Sequence, residues 1–352
     1  MIRSIFSTTR FSLSLLVLCV VANPLSAQGT ALKTIGKIES YDKSFDKLIA
    51  PGTKIEVLAD GFQWTEGPVW VKEGDSGFLL FSDIPRNSVF RWKKGQGIDL
   101  YLKPAGYTGL KSYSKEPGSN GLLVDFLGRL VSCEHGDRRL SVLTKGGGKR
   151  TLVDNYHGKR LNSPNDACFK SNGDLYFTDP IYGLPKGADD PHRELDFCGV
   201  YRLSQNGKLT LLVKDMTRPN GIAFSPDEKT LYVAQSDPAA SIWKSFPVKA
   251  DGTLGTGKIF YAINAEEKKL PGLPDGMKVD AHGNAWAAGP GGIYVFSPEG
   301  KKLGMIFTEN RTANCAWGND GSTLYITADA NLLRVQTKTQ GNFVKWKLNG
   351  DS

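Results

Sequence analysis

Residues 215–237 read DMTRPNGIAFSPDEKTLYVAQSD, and their pattern decides the fold. A turn at Arg218-Pro219-Asn220-Gly221 is followed by a short apolar run, Ile222-Ala223-Phe224. A second turn, Ser225-Pro226-Asp227-Glu228, leads into Thr230-Leu231-Tyr232-Val233-Ala234. Two β-type runs joined by Pro/Asp turn chemistry read as a hairpin.

The same hairpin recurs along the chain. It opens at Glu66-Gly67-Pro68, Asn120-Gly121, Asn165-Asp166, Asn220-Gly221, Asp275-Gly276 and Asn314-Cys315, each followed by a second apolar run such as Phe78–Asp83, Asp174–Asp179 or Thr323–Thr327. The starts lie about 40–55 residues apart, the period of a propeller blade. A third run follows in most copies (Gly199–Leu203, Gly292–Phe296), then a fourth (Leu209–Val213). Four short strands per repeat predict an all-β, six-bladed β-propeller with four-stranded blades. The last copy supplies three strands, ending at Leu332–Val335, so ring closure calls for an N-terminal strand, Lys54–Leu58, as its fourth. Such closure removes the sheet edges on which other chains could pair.

The ends and the composition bound the rest. Arg3 and Arg10 precede an apolar run, Leu15–Ala22, and a small-residue end at Ser26-Ala27, which predicts a secretory signal over 1–27 cut after Ala27 and a periplasmic or secreted protein. A retained N-terminal anchor is the alternative; with the leader removed, no membrane partner is expected. Residues 28–50 are polar and mixed and read as a mobile arm, leaving 51–352 as one propeller domain. The formal net charge is +8, but no Lys/Arg cluster is interleaved with aromatics, so nucleic acid is not expected as a partner. Cys133, Cys168 and Cys315 sit inside strand runs and, with Cys198, are expected as buried thiols rather than bridges.

The opening residue of each repeat carries the chemistry. Glu66, Asn120, Asn165, Asn220, Asp275 and Asn314 are all oxygen donors, and inner strands line the central channel, so they are expected as a ring at one mouth. Asn-Gly and Asp-Gly are ordinary turn dipeptides; glutamate in Glu66-Gly67-Pro68 is not, and recurrence at one phase argues for a shared role. Several oxygens with two carboxylates suit one hard divalent cation. Calcium fits best because it accepts amide carbonyls and irregular geometry; Mg2+, Mn2+ or Zn2+ are the alternatives, zinc more often asking for His or Cys. Strand order puts the insertions 103–119, 180–198 and 264–274 around that mouth, where binding sites are built on rigid scaffolds. His135 and Arg138, in Glu134-His135-Gly136-Asp137-Arg138, are expected near it as proton carrier and oxygen binder, and Tyr182 as a residue of the covering loop.

The segments TEGPVW, NGLLVDFLGRLVSCEHGDRR, GKRLNSPNDACFKSNGDLYFTDPIYGL, RPNGIAFSPDEKTLYVAQSD and LPDGMKVDAHGNAW together resemble the senescence marker protein/gluconolactonase family, and within it a bacterial secreted branch. The resemblance runs from about Ile55 to Val335 and implies a cation held by Glu66, Asn165, Asn220 and Asp275, with Asn165 a ligand in some members and a substrate contact in others. It also implies hydrolysis of a sugar lactone to the aldonic acid. In that scheme Asp275 takes a proton from water, His135 assists, and Asn120, Asn165, Arg138 and Tyr182 contact the substrate. Phosphotriesterase-like chemistry on the same cation, or a non-catalytic sugar- or protein-binding propeller stiffened by calcium, are the alternatives. No GxSxG elbow is present to support a serine nucleophile.

Overall fold

In the computed structural model, which describes residues 32–347, the repeat becomes six radial antiparallel blades; the proposed leader, 1–27, lies outside the described residues. The inner strands are Thr65–Glu73, Ser119–Val124, Ala167–Phe169, Pro219–Phe224, Met277–Val279 and Thr312–Gly318. Each pairs with the next strand in sequence, and blades 1 to 4 run outward in chain order, whereas blades 5 and 6 carry N-terminal strands on their outer edges. The ring closes as the pattern requires: Ile55–Ala59 pairs antiparallel with Asn331–Gln336, with Leu333 opposite Val57 and Arg334 opposite Glu56. Arg334 Nε donates to the Glu56 carboxylate at 2.7 Å across this seam.

The core lies between blades. Alternation puts one face of each second and third strand against the neighbouring blade, and both strands of blade 5, Ala285–Gly289 and Gly292–Phe296, are buried throughout. Trp286 of blade 5 meets Trp317 of blade 6 edge to face, with centroids 5.1 Å apart. Cys133, Cys168, Cys198 and Cys315 are free thiols, and Cys133, Cys198 and Cys315 are buried.

The arm behaves differently from the expectation. Lys37–Ser40 adds a fifth strand to the outer edge of blade 5, pairing with Lys302–Phe307, and Thr34–Ile35 extends the closing blade. The physical reason is a few apolar residues spread through a largely polar stretch: Phe45, Leu48 and Ile49 are buried in one cluster with Trp286, Leu303 and Trp317, and Ile35 and Ile38 pack against it, which docks the segment on the propeller. At the other end of the chain, residues 338–347 cross the channel mouth opposite the oxygen ring. Asn342 N–H donates to Val279 O (3.0 Å), Lys347 N–H donates to Ser171 O (2.7 Å), and Trp346 packs edge-on against Phe126 and Phe169. Among the described residues no helix is long and apolar enough to cross a membrane.

Candidate active site

At the start of the inner strands a register shift interrupts the pairing in blades 1, 2, 4 and 6, between Glu66 and Val69 in blade 1 and between Ser119 and Leu122 in blade 2. A bulge of this kind turns side chains out of the alternation of the strand. Here Glu66, Asn120, Asn165 and Asn220 are all buried, and together with Asp275 they line one cavity of about 170 Å3.

The sixth place in this ring belongs to Ala313 and not to Asn314. Blades are stitched by a hydrogen bond from the residue after the ring position to the carbonyl of the next ring position: Gly121 N–H to Asn165 O (2.7 Å) and Gly276 N–H to Ala313 O (2.8 Å). Asn314 therefore stands one step deeper, level with Asp166. Its Oδ1 accepts the N–H of Cys315 at 2.9 Å, as Asp166 Oδ1 accepts that of Ala167 at 2.9 Å.

The three insertions surround the mouth. Glu116 comes from residues 103–119, Tyr182 from 180–198, and Gly272 and Leu273 from 264–274; Trp64, Ser236, Arg311 and Thr312 complete the lining. Tyr182 is anchored by its hydroxyl, which donates to Ser236 O at 3.1 Å.

His135 is fully buried behind the wall. Its Nε2 lies 3.4 Å from Asn120 Nδ2 and its Nδ1 lies 3.6 Å from Glu116 Oε2. An amide donating to Nε2 leaves the proton on Nδ1, facing Glu116. Burial pushes the imidazole down to about 4, so it is neutral near pH 7 and holds Asn120 in place. Arg138 does not line the cavity. Its guanidinium is buried and donates to three backbone carbonyls, Leu161 O (2.7 Å), Asn162 O (3.1 Å) and His192 O (2.8 Å), tying residues 161–162 to the 180–198 insertion.

The electrostatics of the ring are those of a site short of positive charge. Burial, with Asp166 nearby, raises Glu66 to about 7. Burial, with Glu66, Asp166 and Glu116 nearby, drives Asp275 well above the usual carboxylate range. Burial raises Glu116 to about 7. The Oδ1 atoms of Asn120, Asn165, Asn220 and Asp275 are buried with no hydrogen-bond partner. Buried polar atoms without partners are rare and call for a ligand, ion or water. Their orientation is enforced. Asn220 Nδ2 donates to Ser236 Oγ at 2.8 Å, whose own proton goes to Pro274 O, so Asn220 Oδ1 is left free on the far side of its amide. Among the described residues no group of three or more His, Cys, Asp or Glu side chains is disposed to hold a metal. The set is instead two carboxylates plus amide oxygens, which fits a hard divalent cation better than a transition metal.

A family described as an SMP-30/Gluconolactonase/LRE-like region matches residues 64–330. The chain belongs to this family. Among SMP-30/gluconolactonase-like proteins it is 42% identical over 316 residues to a gluconolactonase of Zymomonas mobilis, covering 88% of each chain. It is 30% identical over 279 residues to a pentonolactonase of Haloferax volcanii, covering 74% of this chain and 80% of that one. A solved structure of a gluconolactonase from Xanthomonas campestris superposes with a TM-score of 0.74 at 31% identity, covering 87% of this chain and 97% of that one. Of the lining residues in this family member, Glu116, Trp64, Ser236 and Arg311 carry no sequence signal of their own; Glu116 alone could have been found, as the carboxylate inside an insertion already assigned to the mouth.

Proposed function

We propose that this protein is a divalent-cation-dependent lactonase that opens a sugar lactone, such as glucono-1,5-lactone, to the aldonic acid. The observation that carries the reading is the convergence of partnerless buried oxygens from Asn120, Asn165, Asn220 and Asp275 on a cavity ringed by three insertions. The similarity to lactonases named for gluconolactone and pentonolactone supports the substrate class. Glu66, Asn165, Asn220 and Asp275 would hold the cation, calcium fitting best, which when bound supplies Lewis-acid polarisation of the lactone carbonyl.

The chain's own groups do the rest. Asp275 takes a proton from the attacking water as the new C–O bond forms at the carbonyl carbon. When the ring C–O bond breaks, the leaving ring oxygen takes that proton back. Asn120, held by His135, and Glu116 face the lactone hydroxyls and fix its orientation. Tyr182 and the Gly272-Leu273 segment, which line the cavity, would limit access of bulk water to the bound lactone. We further propose that the chain is exported and cut near Ala27, on the basic start and apolar run that precede it; N-terminal sequencing of the protein from a bacterial host checks this.

The deciding experiment follows acid release from a panel of sugar lactones by pH-stat, with and without chelator, with organophosphate esters in the same assay. Hydrolysis well above the spontaneous rate, lost with chelator and restored by calcium, is the expected outcome. Undiminished turnover under chelator, or turnover of organophosphates alone, would overturn the reading.

A further inference from the structure

Beneath the ring the channel has a second tier and a third. The second consists of Gly67, Gly121, Asp166, Gly221, Gly276 and Asn314. Only blades 3 and 6, which face each other across the ring, contribute functional side chains there, and they meet: Asn314 Nδ2 lies 3.5 Å from Asp166 Oδ2. The glycines are what make room. A Cβ on Gly276 would sit 1.9 Å from Asn314 Cγ, and one on Gly121 would sit 2.7 Å from Asp166 Oδ1. Asn314 Nδ2 also donates to Glu66 Oε2 at 3.1 Å, so this floor is bonded directly to a carboxylate of the ring.

The third tier is Val69, Leu123, Cys168, Ala223, Ala316 and one charged residue, Lys278. Met277 and Val279 on either side point into the blade core, which turns the lysine to the channel. Its ammonium donates upward to Asn314 Oδ1 at 3.3 Å and to Met277 O at 3.1 Å, and among the described residues it makes no direct carboxylate pair. A lysine set among apolar neighbours, aimed at a buried carboxylate cluster and separated from it by one amide, is an expensive arrangement for stability alone. The axis carries three carboxylates, Glu66, Asp275 and Asp166, and one ammonium, which together leave two negative charges.

We propose that Lys278 is a built-in counter-ion of the ring, cancelling Asp166 from below so that the site presents the charge that matches a divalent rather than a trivalent ion. Asn314 is the spacer that keeps ammonium and ring at a fixed separation while holding Glu66. The inference rests on the cation reading above and deepens it.

The test is ion binding by the mature full chain, with calcium followed by calorimetry and terbium(III) by luminescence, at mildly alkaline pH. Lys278→Met should tighten calcium on the order of tenfold and terbium on the order of thirtyfold, because attraction scales with the charge of the ion. Asp166→Asn should weaken calcium by about tenfold although Asp166 is not a proposed ligand. The double variant Asp166→Asn/Lys278→Met should return to within a few-fold of the parent, and Lys278→Arg should stay near it. A purely structural lysine would give weakening in every variant and no rescue. If Lys278→Met does not fold, the single Asp166→Asn against the double variant carries the same comparison. Calcium binding by the parent with flat or uniformly weakened variants overturns the counter-ion role alone. A parent that binds neither ion overturns the cation reading and this inference with it.

Discussion

The two mouths of the channel are built from the same six strands and differ in almost everything else. One holds the smaller cavity, about 170 Å3, with Glu66, Asn120, Asn165, Asn220 and Asp275 in its floor. The other holds a cavity of about 410 Å3 lined by Val69, Leu123, Ala223, Phe224, Val279 and Trp346 among others. Leu123 lies only three positions after Asn120, and Ala223 three after Asn220. What changes over those three positions is polar satisfaction rather than size. The polar mouth leaves four buried oxygens without partners, whereas among the described lining residues of the apolar mouth Trp317 Nε1 alone is so left, and the C-terminal segment that covers it has its backbone N–H groups paired at Asn342 and Lys347. Cavity size is therefore a poor guide to the candidate site, and the convergence of several orphaned acceptors on one cavity is a better one.

The largest expected effect tests whether chemistry belongs to the polar mouth alone. If Asp275 is ligand and base as proposed, Asp275→Asn keeps an oxygen ligand of the same shape and removes the base, so turnover at saturating calcium should fall by roughly 10²–10⁴-fold. Glu66→Gln should act through occupancy and recover in part with excess calcium. Ala316→Val, on the apolar mouth, should leave turnover unchanged. Lactonase rate against calcium concentration, with occupancy measured separately, checks all three. Parent-like turnover of Asp275→Asn at full occupancy would reduce Asp275 to a ligand and erase the distinction drawn between acid–base and purely coordinating positions.

The period of the repeat made the fold legible, because the same turn chemistry recurs at the blade interval and the missing outer strand is supplied by Ile55–Ala59. The ring was legible at five of its six positions. Asn314 looked like the sixth because Asn-Cys follows the same hairpin logic as Asn-Gly. Counting back from Trp317, which sits where Trp70 does relative to the second strand, gives Ala313 instead. The ring position lies four residues before this tryptophan in both blades, so spacing was the sound signal and the turn dipeptide the misleading one. Arg138 was misplaced because the left-handed turn at φ 58° swings its side chain away from the mouth and into backbone carbonyls. The docking of the arm was not legible, because Ile35, Ile38, Phe45, Leu48 and Ile49, which pack on the propeller, are scattered among polar residues.

The next effect concerns the wall of the polar mouth. Buried His135 holds its pKa near 4 against an ordinary 6.5, so on acidification the unfolded chain takes up a proton first. This contribution to stability is complete above 6.5 and is lost as pH falls to about 4, amounting to about 3 kcal/mol. His135→Gln should remove that part of the pH slope in urea unfolding measured from neutral to acid. An identical slope in the variant would mean that the imidazole is not the group responsible. Somewhat smaller is the effect of crowding the second tier. A Cβ on Gly221 would lie 2.2 Å from Asp275 O, a backbone atom that cannot swing aside. Gly221→Ala should cost about 2 kcal/mol of stability and raise KM or the calcium requirement by displacing Asp275. Unchanged calcium affinity would show that the ring tolerates movement.

The smallest effect belongs to the apolar mouth and tests whether its cover is only structural. Trp346 packs against Phe169 at 5.2 Å and Phe126 at 6.0 Å between centroids, both edge to face. Next to it, Lys347 N–H reaches Ser171 O at 2.7 Å, so the segment is pinned at this end by one hydrogen bond and two aromatic contacts. Edge-to-face pairs contribute about 0.5–1.5 kcal/mol each beyond burial, and Trp346 is only half-buried, so Trp346→Ala should lower stability by about 1–2 kcal/mol. Turnover and calcium affinity should stay at the parent level, because the floor made by Asp166 and Asn314 separates this mouth from the ring. A fall in calcium affinity of tenfold or more in Trp346→Ala, with stability as expected, would mean that the two mouths communicate through Lys278, whose stem lines the lower cavity while its ammonium reaches the floor of the upper one.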